Sequence, residues 1–304
     1  MSIYNKKKVL KKMRRFRTKF RHELYRMHGF LHDSVTVRTN QGLMTIPTRD
    51  KGVAASLFQE RQHEYDSSLN AVNFLKETGF IAQGDLCMLD VGANIGHISI
   101  GLLLANQIQQ TIAVEPEPGN FGFLQQNVKQ NGLSKRMLGL QLAVGDRETI
   151  LEMEIAPLNR ADHRIRSKPS SSVTEQNGES SRNIIEVQSL PLDRIVKLPE
   201  IQQAGISSPS FMWIDVQGFE GYAFKGGASV LDGGLPTVAE IWPYGILRAG
   251  MDLAYFTEIV STFWSDYWIE RRERFIRYPI STFDRYLDEL GSDGYFENVI
   301  FTKS

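Results

Sequence analysis

The stretch Leu86–Glu117, LCMLDVGANIGHISIGLLLANQIQQTIAVEPE, decides the fold class of this 304-residue chain. It opens with a short apolar run that includes Asp90, a pattern typical of a strand buried on both faces of a parallel sheet. Gly92 and Gly96 follow, then an apolar helical stripe, and then a second short strand that ends in Glu115. The order of strand, glycine turn, helix, strand and acid predicts an α/β fold.

A nucleoside-containing ligand is predicted at the carboxyl ends of these two strands, because open parallel sheets bind their ligands there. Gly92 and Gly96 have no Cβ and therefore allow the backbone to approach a ligand closely. Glu115 lies about 20 residues past the glycines, where an acid can accept hydrogen bonds from a ribose diol.

The glycine spacing argues against two common nucleotide motifs. A P-loop needs Gly-Lys-Ser/Thr, but His97 follows Gly96 here, and a dinucleotide fold needs G-x-G-x-x-G where this chain has G-x-x-x-G. Asp90 would repel a pyrophosphate, whereas it suits the ammonium or sulfonium group of S-adenosylmethionine (SAM). The alternative is a glycine pair that only packs a helix in some other α/β protein.

Five blocks resemble, in order, the FkbM family of methyltransferases over about residues 60–241: LDVGANIGHISI, AVEPEPGNFGFLQQNVKQNG, LAVGD, SLPLDRIV and FMWIDVQGFEGYAFKGGASVL. The resemblance implies a Rossmann-like sheet of seven mostly parallel strands flanked by helices, with the last strand antiparallel, and SAM as the cofactor. The cofactor-binding residues that it implies are Glu64, Asp90, Gly92, Asn94, Gly96, Glu115 and Asp146.

Two of these residues have a plain structural alternative. Asp146 matches the position that contacts the adenine amino group in such methyltransferases, but it could serve only a Gly-Asp turn. Glu64 lies on a helix that runs close to the cofactor in the family, but it could be a solvated acid. One departure concerns Gln217, which stands where family members usually have Glu.

The rest of the chain supplies the remaining elements of this fold. Residues 159–183 are rich in Ser, Arg, Asn and Gly, so we expect a mobile loop, either a lid whose Ser170 to Ser172 reach the site or a disordered insertion. Hydrophobic alternation and periodicity predict a hairpin over 34–49, helices over 58–76 and 119–130, a third strand over 137–144, an antiparallel pair over 150–155 and 184–190, and further core strands over 211–216, 237–241, 267–278 and 296–302.

Charge divides the chain into an arm and a body. The net charge is zero, yet residues 1–30 hold eleven Lys and Arg against Glu23 alone, a net of +10 that leaves −10 on the rest. We therefore expect a basic amphipathic arm over residues 1–30, a hairpin and helix over 31–80 packed on the core, and a methyltransferase domain over 81–304. The arm could lie on an anionic membrane, grip a nucleic acid, or dock on its own domain or a partner subunit.

Cysteine content and hydropathy bear on location. Cys87 is the only cysteine, so no disulfide can form within the chain, and its place in the first strand suggests a buried apolar role. No stretch has the ~20 apolar residues of a membrane span, and the basic start lacks the apolar core of a signal peptide. We expect a cytoplasmic protein, in peripheral contact with membranes if the arm binds them.

Two carboxylates at strand ends are the predicted catalytic residues. Methyl transfer to a hydroxyl benefits from a base that removes its proton, and Asp215 comes first for that role, with Glu240 second. Each could instead cap the following helix. No Cys/His cluster has metal-ligand spacing, so no structural zinc site is predicted, and a divalent metal bound by Asp215 and another acid is left open.

These observations predict a SAM-dependent O-methyltransferase. Its acceptor would be a hydroxyl of a sugar, a glycan or glycolipid, or a secondary metabolite. Asp215-Val216-Gln217-Gly218 lacks the Asn/Asp-Pro-Pro-aromatic motif of many nucleobase methyltransferases, so nucleic acid is disfavoured as a partner. The alternatives are a nucleic-acid methyltransferase that uses the arm and a SAM-binding protein without turnover, and a homo-oligomer is left open.

Overall fold

The computed structural model describes residues 18–168, 174–175, 178–272 and 274–304. Their strands are β1 (Ser34–Thr39), β2 (Gly42–Pro47), β3 (Cys87–Val91), β4 (Gln110–Val114), β5 (Met137–Leu140), β6 (Ala143–Val144), β7 (Thr149–Ile155), β8 (Arg164–Ile165), β9 (Asn183–Leu190), β10 (Phe211–Ile214), β11 (Thr237–Ile241), β12 (Asp266–Arg271), β13 (Arg274–Pro279) and β14 (Glu297–Thr302).

The helices are interspersed with the strands along the chain, and the first helix precedes β1. In chain order they are α1 (residues 18–31), α2 (Val53–Gln59), α3 (Tyr65–Glu77), α4 (His97–Leu104), α5 (Pro118–Gln130), α6 (Leu192–Ile195), α7 (Pro199–Gln203), α8 (Glu220–Lys225), α9 (Ala228–Leu231), α10 (Pro243–Arg248), α11 (Leu253–Phe263) and α12 (Phe283–Leu290).

The main sheet has eight strands in the spatial order β13-β12-β14-β11-β10-β3-β4-β5. The five strands from β11 to β5 run parallel, while β14 runs antiparallel to β11 and to β12. A second sheet of four strands, in the order β6-β9-β7-β8, includes the antiparallel pair predicted over 150–155 and 184–190. The fold is therefore the predicted Rossmann-like α/β class with an appended small sheet.

Three element boundaries differ from the sequence predictions. Residues 267–278 form an antiparallel hairpin of β12 and β13, which raises the strand count of the main sheet from seven to eight. The strand predicted over 137–144 is divided, since β6 leaves the main sheet and pairs with β9. The helix predicted over 58–76 is two helices, because Arg61 (φ 66°) and Glu64 (φ 55°) adopt left-handed conformations that a helix cannot continue.

Both faces of β3 are buried, which explains its unbroken apolar sequence. Cys87, Leu89 and Val91 pack on one face with residues of α8 and α11, and Met88 packs on the other with residues of α3 and α4. Because neither face meets water, the strand has no polar alternation except at Asp90. That buried carboxyl marks the carboxyl end of the sheet as a functional edge.

The N-terminal elements pack on the main domain. The predicted hairpin forms from β1 and β2, and the Tyr25 hydroxyl of α1 lies 2.7 Å from the carbonyl oxygens of Pro47 and Asp50. The first 17 residues, which hold most of the predicted basic arm, lie outside the described residues. The large apolar side chains of α1 that remain exposed are Phe20, Met27, Phe30 and Leu31.

The segment predicted as a mobile loop contains buried ion pairs among its described residues. Arg164 and Glu179 are 3% and 2% exposed and lie 3.2 Å apart, and Asp162 accepts from both Arg164 and Arg182. Ser170 to Ser172 lie outside the described residues, and the mobility of the segment stays a prediction. Within the described ranges, no helix is long and apolar enough to cross a membrane.

Candidate active site

The loop after β3 is held to the end of β4 by a buried carboxylate. Glu115 accepts a 2.9 Å hydrogen bond from the Asn94 amide through one oxygen and another of 2.9 Å from the Glu117 amide through the other. Burial raises the pKa of Glu115 to about 7, against these amide hydrogen bonds that lower it. The two amide hydrogen bonds fix the orientation of the carboxylate, so its remaining lone pairs can accept hydrogen bonds from the two hydroxyls of a ribose.

The two glycines of this loop serve close packing of the protein itself. A Cβ on Gly92 (φ 85°) would lie 1.8 Å from the Asp215 carbonyl oxygen, and one on Gly96 (φ 84°) would crowd Ile100 and Met137 at 3.2 and 3.4 Å. Gly92 therefore lets the loops after β3 and β10 meet, and it lines both cavities described below. Gly96 lines neither cavity in the described part of the chain, and fits the helix-packing alternative.

Asp90 is buried at the carboxyl end of β3. It accepts a short hydrogen bond from the Ser99 hydroxyl of α4 and is 2% exposed. Burial raises the pKa of Asp90 to about 7, the Ser99 hydrogen bond opposes this, and the nearby Asp215 adds to it. A cationic ligand beside this buried carboxyl group would stabilise its charged form.

A cavity opens beside Glu115 and is called the Glu115 cavity here. Its wall combines Glu115, Asn94 and Asn120 with the apolar side chains of Val91, Val114, Leu142, Val144, Met153 and Ile165. Arg160, His163 and Arg164 from the segment after β7 also line it. A polar end beside an apolar slot fits a nucleoside, with the ribose at Glu115 and the base between apolar side chains.

Asp146 is not among the residues that line the Glu115 cavity, and its contact with the adenine amino group stays a prediction. Its carboxylate lies 3.6 Å from Arg147 and 3.8 Å from Lys225, and it lines neither cavity as the structure describes them. The reason is the division of the predicted third strand: β6 turns into the second sheet and carries Asp146 away. Leu142, Ala143 and Val144 line the cavity in its place.

A second, larger cavity adjoins the first and shares Gly92, Asn94 and Asp215 with it. We call it the acidic cavity, because its described lining contains no Lys or Arg but the six carboxyl residues Glu64, Asp90, Asp162, Asp215, Glu240 and Asp293. Asp162 is paired with Arg164 and Arg182, which leaves the other five to face a ligand. The electrostatic field of this cavity favours cations and neutral polar groups over anions.

The two predicted catalytic carboxylates meet through Gln217. Its Nε2 donates to Asp215 at 2.7 Å and to Glu240 at 2.9 Å, and its backbone adopts a left-handed φ of 56°. Burial raises the pKa of Asp215 to about 6, while burial and then the charge of Asp215 raise that of Glu240 well above its usual value. Within this pair the shifts favour ionisation of Asp215 and protonation of Glu240.

Glu64 lies at the same end of the sheet, as predicted for a residue near the cofactor. Its Oε1 accepts a 3.2 Å hydrogen bond from Asn298 of β14, which pairs with Glu240 across the strands. Burial raises the pKa of Glu64, and the Asn298 hydrogen bond lowers it. Glu64 faces the acidic cavity and not the Glu115 cavity.

The structure also brings together a cluster of two histidines and one glutamate that the sequence spacing did not predict. His63, Glu64 and His97 each offer a ligand atom, and these atoms lie within 4.8 Å of one another. His63 and Glu64 precede α3 whereas His97 begins α4, so only the packing of the two helices brings them together. Two histidines separated by 34 positions match no local metal-binding pattern.

The chemistry of the two cavities fits SAM. Its ribose has an acceptor in Glu115, its adenine has an apolar slot, and its sulfonium and ammonium groups have anionic partners in Asp90 and the other carboxylates of the acidic cavity. The same carboxylates would repel the negative charges of a pyrophosphate cofactor. The residues present therefore suit a cationic nucleoside.

Comparison with known proteins identifies the family of the chain. The sequence model of the methyltransferase FkbM domain matches residues 90–275, which is more than half of the chain. No curated protein sequence has a significant match.

Solved structures with a similar fold include two methyltransferases. One is methyltransferase FkbM from Methylobacillus flagellatus KT (17% identity, 79% of this chain and 48% of that chain, TM-score 0.43). Another is the tRNA methyltransferase TrmK from B. subtilis (10% identity, 80% and 66% coverage, TM-score 0.35). The present chain thus spans about half the length of the FkbM structure, and at this level of similarity neither neighbour identifies an acceptor.

Proposed function

Because the chain belongs to the FkbM family of SAM-dependent methyltransferases, we propose that it transfers a methyl group to an uncharged hydroxyl of a sugar, a glycan or glycolipid, or a secondary metabolite. The acidic cavity carries this proposal. It joins the Glu115 cavity, offers the Asp215–Gln217–Glu240 group as proton acceptor and hydrogen-bond partners, and has no cationic side chain among its described lining residues. A polyol matches such a lining, since hydroxyls donate to carboxylates.

SAM, when bound, supplies an electrophilic methyl group at its sulfonium. Asp215 lines both cavities, and burial raises its pKa to about 6, close to the range in which a general base works. It would accept the proton of the acceptor hydroxyl as that oxygen attacks. Burial and then the charge of Asp215 raise the pKa of Glu240, so Glu240 would hold a proton more readily and donate a hydrogen bond from it.

Gln217 would position this pair. Its amide bridges both carboxyl groups without adding a third negative charge, and its left-handed backbone turns the side chain between them. Where family members usually have Glu, the neutral amide leaves Asp215 as the base. We therefore assign proton transfer to Asp215 and its orientation to Gln217.

A nucleic-acid acceptor fits the acidic cavity less well. Five unpaired carboxyl residues would face a phosphate backbone that proteins normally bind with Lys and Arg. The basic residues of the chain concentrate in residues 1–30, and most of that arm lies outside the described residues. Purified protein free of nuclease-resistant absorbance at 260 nm would support the polyol acceptor.

Titration of SAM into the purified chain by calorimetry tests the cofactor site. Asp90→Ala and Glu115→Ala should each weaken SAM binding at least about 100-fold, because two hydrogen bonds to a charged group contribute about 3 kcal/mol or more. Asp146→Ala is the matched control. It removes the acid that the sequence predicts at adenine but the structure places outside the cavity, so its affinity should stay within about threefold of wild type.

Two results would contradict this assignment. Absence of SAM binding to folded wild-type protein would contradict the assignment of SAM as the cofactor. A large loss of SAM affinity in Asp146→Ala would indicate that Asp146 contacts the adenine. Tight SAM binding with no product in an acceptor screen would favour the rival function, a SAM-binding protein without turnover.

We also propose that α1 contacts an anionic membrane surface, which would bring the enzyme to a lipid-linked acceptor. Phe30 and Leu31 are 82% and 72% exposed on α1, next to a strongly basic segment. The double substitution Phe30→Ser with Leu31→Ser should weaken binding to phosphatidylglycerol vesicles at least about tenfold, since two inserted side chains contribute several kcal/mol. Tyr295→Ser, at an equally exposed aromatic residue outside α1, is the control, and unchanged sedimentation of the double variant would refute membrane contact.

A further inference from the structure

We propose that His63, Glu64 and His97 form a binding site for one divalent transition-metal ion in the wall of the acidic cavity. Two imidazoles and one carboxylate are a donor set that suits Zn²⁺ and similar ions. The sequence pointed to no Cys/His metal site, because His63 precedes α3 whereas His97 begins α4. The inference concerns the metal alone and does not depend on the identity of the methyl acceptor.

The three side chains already converge. Their ligand atoms lie within 4.8 Å of one another, and the two imidazole rings have centroids 5.3 Å apart at an angle of 51°. Ligand atoms around a tetrahedral Zn²⁺ are about 3.4 Å apart, so small side-chain rotations would complete the geometry. All three residues line the acidic cavity, which provides the path by which an ion enters.

His97 gives independent evidence for a ligand. It is 6% exposed, and neither Nδ1 nor Nε2 has a hydrogen-bond partner. A buried polar atom without a partner costs about 1–3 kcal/mol, so such an imidazole is rarely left unsatisfied. A metal ion bound through a ring nitrogen would offset this cost and explain why a histidine begins α4.

Gln41 ties the two histidines together through their backbones. Its side-chain amide donates to the carbonyl oxygens of His63 at 2.9 Å and His97 at 3.1 Å, and its Oε1 accepts from the His63 amide at 2.9 Å. Gln41 is fully buried in the turn of the β1–β2 hairpin. The hairpin therefore fixes the backbones of His63 and His97 relative to each other, which is the preorganisation that a metal site requires.

The surroundings also suit a cation. Asp90, Asp215 and Glu240 line the same cavity without a described Lys or Arg to neutralise them. Three protein ligands leave a fourth position open toward the cavity, as in metal sites that bind a substrate oxygen. On the proposed methyltransferase function, that position would orient the acceptor hydroxyl and lower its pKa.

Calorimetric titration of ZnCl2 into the full-length chain, stripped with a chelator and free of SAM, tests the site. We expect one ion per chain in wild type and a loss of affinity of at least about 100-fold in His97→Gln and in Glu64→Gln, since each removes one of three ligands. Glu64→Gln keeps an acceptor for Asn298. Co²⁺ titration should give tetrahedral absorption bands in wild type that both variants lose.

His32→Ala is the matched control. His28 lies on α1 and His32 directly follows it, with the two ring centroids 6.2 Å apart, so this neighbouring histidine pair serves as a comparison. Zn²⁺ affinity unchanged in His32→Ala but lost in His97→Gln supports the proposal.

Three results would overturn it: no binding tighter than about 10 μM in wild type, binding retained in His97→Gln, or binding lost in His32→Ala. If His97→Gln does not fold by circular dichroism, His63→Ala and Glu64→Gln decide. Because SAM is absent from the titration, failure here leaves the SAM titration with Asp90→Ala as a separate test of the proposed function.

Discussion

Gly92→Ala should unfold the active-site edge of the sheet and abolish SAM binding. The new Cβ would lie 1.8 Å from the Asp215 carbonyl oxygen and 2.8 Å from its carbonyl carbon, and both are backbone atoms that cannot rotate away. The loops after β3 and β10 would have to separate, which moves Asn94 and Asp215 from the cavities they share. We expect the free energy of unfolding to fall by about 4 kcal/mol or more, as measured by urea denaturation.

Gly79→Ala is the control for this effect. Gly79 also has a positive φ, 76° against 85° at Gly92, but a Cβ there would meet nothing within 4 Å. It should therefore show only the backbone strain of about 1–2 kcal/mol and retain SAM binding. Equal losses in the two variants would mean that conformation, and not the approach of the two loops, explains Gly92.

Asp215→Asn should reduce the rate of methyl transfer by about 10²–10⁴-fold once a screen has supplied an acceptor. The amide keeps the size of the carboxyl group and can still hydrogen-bond to Gln217, but it cannot accept the acceptor proton. SAM affinity should change by about tenfold at most, because Asp90 and Glu115 remain. Single-turnover rates with saturating SAM measure the chemical step directly.

Glu240→Gln is the matched comparison, and the effect of this substitution should be much smaller. Burial and then the charge of Asp215 raise the pKa of Glu240 and so favour its protonated form, which a neutral amide imitates. The pH profile separates the two roles. The pKa of Asp215 is raised to about 6, so wild-type activity should rise as pH increases through 6 and level off above it, and this limb should vanish in Asp215→Asn. A rate within threefold of wild type in Asp215→Asn would exclude Asp215 as the base.

Local sequence patterns were sufficient for the fold class and for much of the candidate site. An apolar run, a glycine turn, a helix and a second strand ending in Glu115 define a βαβ unit, and that unit places Asp90, Asn94 and Glu115 at one edge of the sheet. Asp215 and Glu240 follow the same rule, because the carboxyl ends of parallel strands meet there. These inferences succeeded because the geometry of a parallel sheet follows from the order of its strands.

Contacts between distant segments decided the rest. The departure of β6 into a second sheet carries Asp146 away from the Glu115 cavity, and this depends on pairing with β9, about 45 residues further along the chain. Position 92 requires a glycine because the backbone of Asp215 approaches it closely from another loop. Hydrophobic periodicity reports which face of an element is buried, but not which loop lies opposite.

The sequence by itself determined a SAM-type loop on a Rossmann-like sheet, with acids at successive strand ends, because these features are encoded within about 30 consecutive residues. Only the tertiary structure joined Asp215 to Glu240 through Gln217, and only packing of α3 against α4 brought His63 to His97. Those arrangements depend on side-chain directions and on long-range packing, which residue spacing along the chain does not record.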